Sequence, residues 1–198
     1  MNSKSIASVI IFAAAAIALN AVRIPTVFYP GTYFQFSQIP IIIAFLLFGA
    51  RIGVLVGLLN IVGGLALFPV GAAGGLFVYP MDFVSSLLMF AGMWLASKFI
   101  MYDNKSGRSP VWKKPTVSLT LGATAVRVGI MPFVDYAVVY HIMVPLILGI
   151  KPPEVYIVGL VPAFVLYNMI VPLYAVSIAS VVSAKVSKAL KIGNEHLQ

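Results

Sequence analysis

Arg127, Asp135, Asp82 and Asn168 are polar residues set inside long apolar runs. A charged side chain at the centre of a membrane helix costs about 2.5–3.5 kcal/mol on insertion scales. Such groups persist where they meet a partner or a ligand. Arg127 and Asp135 belong to one run and stand about 12 Å apart at helical rise, too far for a direct pair. Each needs a partner elsewhere, and Asp82 is a candidate for Arg127. Two readings stand side by side: an ion pair that locks helices together, and polar groups that hold a ligand. Asn168, next to Tyr167 in the last run, either bonds a neighbouring helix or joins the same ligand site. Tyr33 and Phe36, with Tyr29 and Phe34, form either an interfacial aromatic belt or a lid whose rings stack on a flat ligand. The candidate substrate-binding set is therefore Tyr33, Phe36, Asp82, Arg127, Asp135, Tyr167 and Asn168. Asn60 reads as packing between helices, and His141 as a structural residue near a helix end.

Other chemistries are excluded by what the chain lacks. No Walker A pattern, H-E-x-x-H, G-x-S-x-G or carboxylate cluster occurs. The chain is not expected to hydrolyse ATP or to act as an enzyme, and no cofactor is expected. Cysteine is absent and only His141 and His196 are present, so neither a disulfide framework nor a metal cage is expected.

These polar residues sit in a membrane-type chain. Of 198 residues, 61% are hydrophobic and 9% charged, and mean hydropathy is +1.04. Soluble domains carry about 25% charged residues. A span needs about 20 apolar residues, so the length suits roughly six. The first run is Ser5 to Ile24, ending at Pro25, and reads as a retained helix rather than a signal peptide. Residues 25–36 form an apolar, turn-rich loop. The stretch 37–68 would be roughly 48 Å long as one helix, beyond a bilayer core of about 30 Å. It is split at Arg51 into two helices, with Ser37 as N-cap of the first. Gly49, Gly53 and Gly57 mark close helix packing. Residues 69–80 read as a Gly-rich loop, 81–101 as a fourth helix, and 102–115 as the one hydrophilic segment. The fifth run spans Thr116 to Leu148, residues 149–153 turn, and the sixth run extends from Glu154 to about Ala184. The expectation is one domain, residues 1–198: an all-α integral membrane bundle of six transmembrane helices.

Charge sets the orientation. There are 13 Lys+Arg against 5 Asp+Glu. In a six-span chain Lys4, Arg51, Lys98, the 102–115 loop and the C-terminal lysines share one side. The other side keeps Lys151, with Arg23 nearby. Basic residues concentrate in the cytoplasm, so both termini are expected inside a multi-pass plasma-membrane protein. The bases lie between apolar runs rather than on one face, which argues against nucleic acid.

The order of these segments resembles the substrate-binding S components of energy-coupling-factor (ECF) vitamin transporters. The alanine-rich first helix, FAAAAIALNAVRIP, places Ala14 and Ala18 on the family's A-x-x-x-A motif. YFQFSQIPIIIAFLLFGARIGVLVGLL is similar to the family's F-x-D-I-P…G-x-x-x-G stretch, with Gln38 at the position of the common acidic residue. RVGIMPFVDYAVVYHIMVPLIL and LVPAFVLYNMIVPLYAVSIA resemble the family's terminal helices. The resemblance implies capture of a vitamin on the outer side under an ordered first loop. It also implies contact of Ala14 and Ala18 with a transmembrane coupling subunit, energised by two ATPase subunits. Asn2 follows Met1 where metal-specific relatives carry Met-His, so a cobalt or nickel substrate is not expected. Riboflavin is the first guess for the ligand, ahead of a pyrimidine, thiamine or another vitamin. The alternative function is a self-sufficient secondary transporter or channel for a small solute.

Overall fold

The computed structural model describes residues 3–29, 32–68, 71–105 and 115–190. In chain order the elements are α1 (Ser3–Leu19), β1 (Arg23–Pro25), β2 (Tyr33–Gln35), α2 (Gln38–Phe48), α3 (Ala50–Leu67) and α4 (Gly71–Lys105). Then follow α5 (Pro115–Val134), a π-helical stretch (Asp135–Met143), α6 (Val144–Leu148) and α7 (Glu154–Leu190). Four helical segments are long and apolar enough to cross a membrane: Ala50–Leu67, Leu76–Phe99, Pro115–Leu148 and Glu154–Ala189. Ser5–Leu19 and Gln38–Phe48 are shorter apolar helices. The protein is a multi-pass membrane protein, and apolar side chains such as Ile10, Phe99, Phe133 and Val155 face outward.

Neighbouring rods alternate in direction. On α2 and α3, Phe45 lies against Gly53 and Ile41 against Gly57. Gly53 and Gly57 of α3 also receive Phe90 and Phe83 of α4. Thr120 meets Ser177 and Arg127 meets Asn168 between α5 and α7. The core gathers buried residues of α1, α2, α3, α4, α5 and α7, with the Phe45 and Phe90 rings stacked at 4.2 Å.

Several expected boundaries move. α1 stops at Leu19 rather than Ile24, because Arg23–Pro25 leaves the helix to pair antiparallel with Tyr33–Gln35. The Arg23 guanidinium holds that exit, donating to the carbonyls of Asn20 and Phe68 at 3.0 Å each and to the Tyr79 hydroxyl at 2.9 Å. The break between α2 and α3 falls at Gly49 rather than Arg51. Its φ of 87° is a left-handed value open to glycine. Ser37 does not cap α2: its backbone is already helical (φ −58°, ψ −27°), whereas a capping residue is extended. Its hydroxyl is buried without a partner. The expected loop 69–80 is helical from Gly71 onward, with Pro80 inside α4. α4 runs on to Lys105. The rest of the hydrophilic segment, residues 106–114, lies outside the described residues, as do Lys191 and His196. The turn after α6 is formed as expected, with Gly149 left-handed at φ 66°.

The fifth run is one rod with a π turn in its middle. Val144 N–H bonds the carbonyl of Val139, five residues back, a wider turn than the usual 3.6 residues. Pro145 lacks the N–H that a regular ladder would use. In a regular helix the series 127, 131, 135, 139 would drift steadily around the axis. The wider π turn advances less per residue, and keeps Val139 on the face that carries Met131 and Asp135.

Candidate functional site

That face meets α7, α4 and the β1–β2 hairpin around a cavity of about 110 Å³. Six of the seven expected residues line it: Tyr33, Asp82, Arg127, Asp135, Tyr167 and Asn168. Phe36 is placed elsewhere, against the Tyr174 ring at 5.6 Å. The lining also includes Tyr29, Thr32, Gln35, Phe77, Ser85, Met131 and Val139, which the sequence did not single out as a set.

A chain of hydrogen bonds joins the charges. Arg127, 1% exposed, donates from Nε to Asn168 Oδ1 at 2.9 Å and from Nη1 to Gln38 Oε1 at 3.0 Å. Each amide passes the interaction on. Asn168 Nδ2 donates to Asp135 Oδ2 at 2.8 Å, and Gln38 Nε2 donates to Asp82 Oδ1 at 3.3 Å and to Ser85 Oγ at 3.0 Å. The order is carboxylate, amide, guanidinium, amide, carboxylate. It fixes both amide orientations, since a flipped amide would point NH₂ at the guanidinium and a carbonyl at a carboxylate. Arg127 and Asp82 are therefore linked through Gln38, and Arg127 and Asp135 through Asn168. Asp82 Oδ2 and Gln35 Oε1 are buried without a partner.

The hairpin forms the roof. Thr26 and Thr32 close its turn, with Thr26 Oγ1 donating to Tyr29 O at 2.6 Å and Thr26 N donating to Thr32 O at 3.1 Å. α7 holds the roof through two tyrosines: Tyr167 OH donates to Tyr33 O at 3.1 Å and Tyr174 OH to Gln35 O at 2.8 Å. Phe34 stacks on Tyr167 at 5.6 Å, and Tyr29 packs on Phe164 at 5.1 Å. Burial, and after it the nearby Asp135 carboxyl, push the Tyr29 phenol well above its ordinary pKa, so it stays neutral. The aromatic residues of 25–36 thus divide: Tyr29 and Tyr33 line the cavity, Phe34 and Phe36 pin the hairpin to α7, and Phe28 packs against Phe34 at 6.2 Å.

Outside the cavity, Asn60 pairs with Asn20 Nδ2 at 2.9 Å. His141 Nε2 lies 3.0 Å from Glu154 Oε2, bridging the turn between α6 and α7 with Tyr136 on the same carboxylate. Among the described residues no cluster of side chains suits a metal ion. Ala14 and Ala18 lie exposed on α1, while Ala13 and Ala16 are buried on its inner face.

No protein-family profile matches the sequence, and no curated protein matches it. A search of solved structures finds a chain described as the S component of a bacterial ECF transporter. The TM-score is 0.72 at 20% identity, over 96% of this chain and 99% of that one. The chain has the fold of an ECF S component.

Proposed function

We propose that this protein is the substrate-capture subunit of an ATP-driven importer, binding a vitamin or related small molecule from outside the plasma membrane. The observation that carries the reading is a polar, aromatic-roofed cavity in a chain with the S-component fold. Tyr33, Asp82, Arg127, Asp135, Tyr167 and Asn168 are its proposed substrate-facing residues, with Phe36 supporting the roof. A coupling subunit would dock on the exposed face of α1 at Ala14 and Ala18, where small side chains admit a close helix, and two ATPase subunits would drive it. The reading is of six membrane-crossing helices with both termini inside. Riboflavin stays the first compound to test. Its fused rings exceed a cavity of about 110 Å³, so its entry would require the hairpin to lift.

The test is affinity purification from the native host. The wild-type chain is expected to bring down a membrane coupling subunit and ATPases, and Ala14→Leu or Ala18→Leu to lose them while the cavity stays intact. Solute uptake by the chain alone in liposomes, without ATPases, would instead establish a self-sufficient transporter.

A further inference from the structure

We propose that His141 and Glu154 form a proton-held clasp, which fastens the fifth run to the start of α7 beside the cavity and loosens as the pH rises. On the importer reading, which this inference extends, the clasp makes the state of the cavity wall depend on external pH.

Geometry sets the protonation state. His141 Nδ1 lies 2.8 Å from the Tyr136 carbonyl oxygen, and Nε2 lies 3.0 Å from Glu154 Oε2. A carbonyl only accepts, so Nδ1 carries a hydrogen. The carboxylate accepts from the Tyr136 hydroxyl at its other oxygen, and an ionised carboxylate also only accepts. Nε2 must then carry a hydrogen as well, and only the imidazolium has both. A neutral ring with Nδ1–H would set its Nε2 lone pair against the carboxylate. Tyr136 on the same stretch and Glu154 on α7 are the titratable groups bonded to the ring. The Tyr140 and Tyr156 phenols stand next along the two elements, and Lys151 is exposed on the turn between them. Ordinary values of about 4.3 for glutamate, 6.5 for histidine, and 10 or more for tyrosine and lysine leave His141 as the member that changes charge near neutrality. The folded chain favours the charged ring, so the clasp is made in mild acid and lost as the pH rises through the histidine range.

Position ties the clasp to the cavity. His141 stands fourteen positions after Arg127, and Glu154 fourteen before Asn168. The clasp is thus a second rung between two rods, about 20 Å along from the Arg127–Asn168 bond at helical rise. With Arg127 near mid-membrane, that exceeds half of a bilayer core of about 30 Å. The two side chains are 39% and 55% exposed, as a sensor of the medium requires. The wall lies between the rungs: Asp135 and Val139 line the cavity, and Tyr140 stacks on Phe164 of α7 at 5.4 Å. Release of the outer rung frees this stretch to part from α7.

The chain has no cysteine, so Val139→Cys places a single thiol in the cavity wall as a reporter. The full chain, purified in detergent, is reacted with a water-soluble methanethiosulfonate with and without His141→Gln. The two rates are compared at each pH, which cancels the thiol's own pH dependence. At about pH 6, His141→Gln is expected to speed labelling by about two- to fivefold, the modest range of an exposed ion pair. At about pH 8.5, where the wild-type ring is neutral, the two rates should agree. Glu154→Ala should give the same acceleration in acid, and the double variant no more than either alone. Equal rates in acid would overturn the proposal. So would an effect of the same size at both pH values, which would assign the link to ring packing rather than to the proton. An acceleration abolished by EDTA would assign the link to a bound metal ion and overturn it as well. Copurification of the ATPases judges the importer reading separately.

Discussion

Arg127 is a fully buried cation that touches neither of the acids near it. Its hydrogen-bond partners are two neutral amides and the Met89 sulfur, and each amide is polarised by a carboxylate on its far side. In a low-dielectric interior such chains reinforce one another, and removal of one charge strands the others. Arg127→Leu leaves two amide oxygens and two acids uncompensated, and is expected to cost about 3–5 kcal/mol in detergent unfolding experiments. The relay makes a sharper prediction. Arg127 and Asp82 should show a coupling of about 0.5–3 kcal/mol in a double-mutant cycle although they do not touch. Repeating the cycle in a Gln38→Leu background should bring it close to zero. An unchanged coupling would mean that the charges interact through space and that Gln38 is not the link. The charged members of this site were legible in the sequence because a charge in an apolar run is conspicuous and costly. Gln38, Gln35, Ser85 and Thr32 were not, because uncharged polar residues near helix ends and turns are common and carry no such penalty. The sequence left open whether the charges are structural or ligand-facing. The network that ties α2, α4, α5 and α7 together also forms part of the cavity wall, so a structural role and the proposed ligand-facing one are compatible.

At the scale of elements, backbone approaches backbone where α4 and α5 cross. A Cβ on Gly92 would lie 2.7 Å from the Cα of Ala123 and overlap the Gly122 carbonyl. One on Gly122 would lie 2.6 Å from the Ala96 Cβ. These obstacles are backbone atoms and a short side chain, which cannot swing away. Gly92→Ala is therefore expected to destabilise the protein by about 1–3 kcal/mol through overpacking. Gly129 on α5 is the control, since a Cβ there meets nothing within 4 Å. Gly129→Ala should be neutral or stabilising by up to about 1 kcal/mol from helix propensity. Thermal unfolding of both variants in one detergent decides it, and equal shifts would show that the crossing is loose. The Gly49, Gly53 and Gly57 spacing was readable because it repeats within one apolar run, although Gly49 forms the break between α2 and α3 and only Gly53 and Gly57 receive neighbouring side chains. Gly92 and Gly122 were not, since two single glycines in different runs carry no sign of their pairing. Boundaries were lost for related reasons. Residues 71–80 look like a loop by their glycines and Pro80, yet they form the first turns of α4. The π-helical stretch covers nine residues inside a long apolar run, and hydrophobic periodicity does not register it.

For the whole molecule, alternating helix direction sorts the loops into two ends. The hairpin, Phe68 and the turn at Gly149 gather at one, with Lys151, His141 and Glu154 near it. Arg51, Lys98, Lys185 and Lys188 gather at the other. Lys98 lies over the Trp94 ring at 5.7 Å, an arrangement suited to an interface. Basic residues favour the cytoplasmic side, so the cavity and its roof should face outward. That orientation is required of a capture subunit, and it can be tested without the ligand. The chain has no cysteine, so a single introduced cysteine is the sole target for a thiol reagent. Lys151 and Lys188 are both exposed. Lys151→Cys is expected to react with a membrane-impermeant maleimide in intact cells, and Lys188→Cys only after the membrane is permeabilised. The reverse pattern would place the cavity toward the cytoplasm and defeat the importer reading. Labelling of both positions from outside would mean that α7 does not cross the bilayer, and would break the six-helix topology itself.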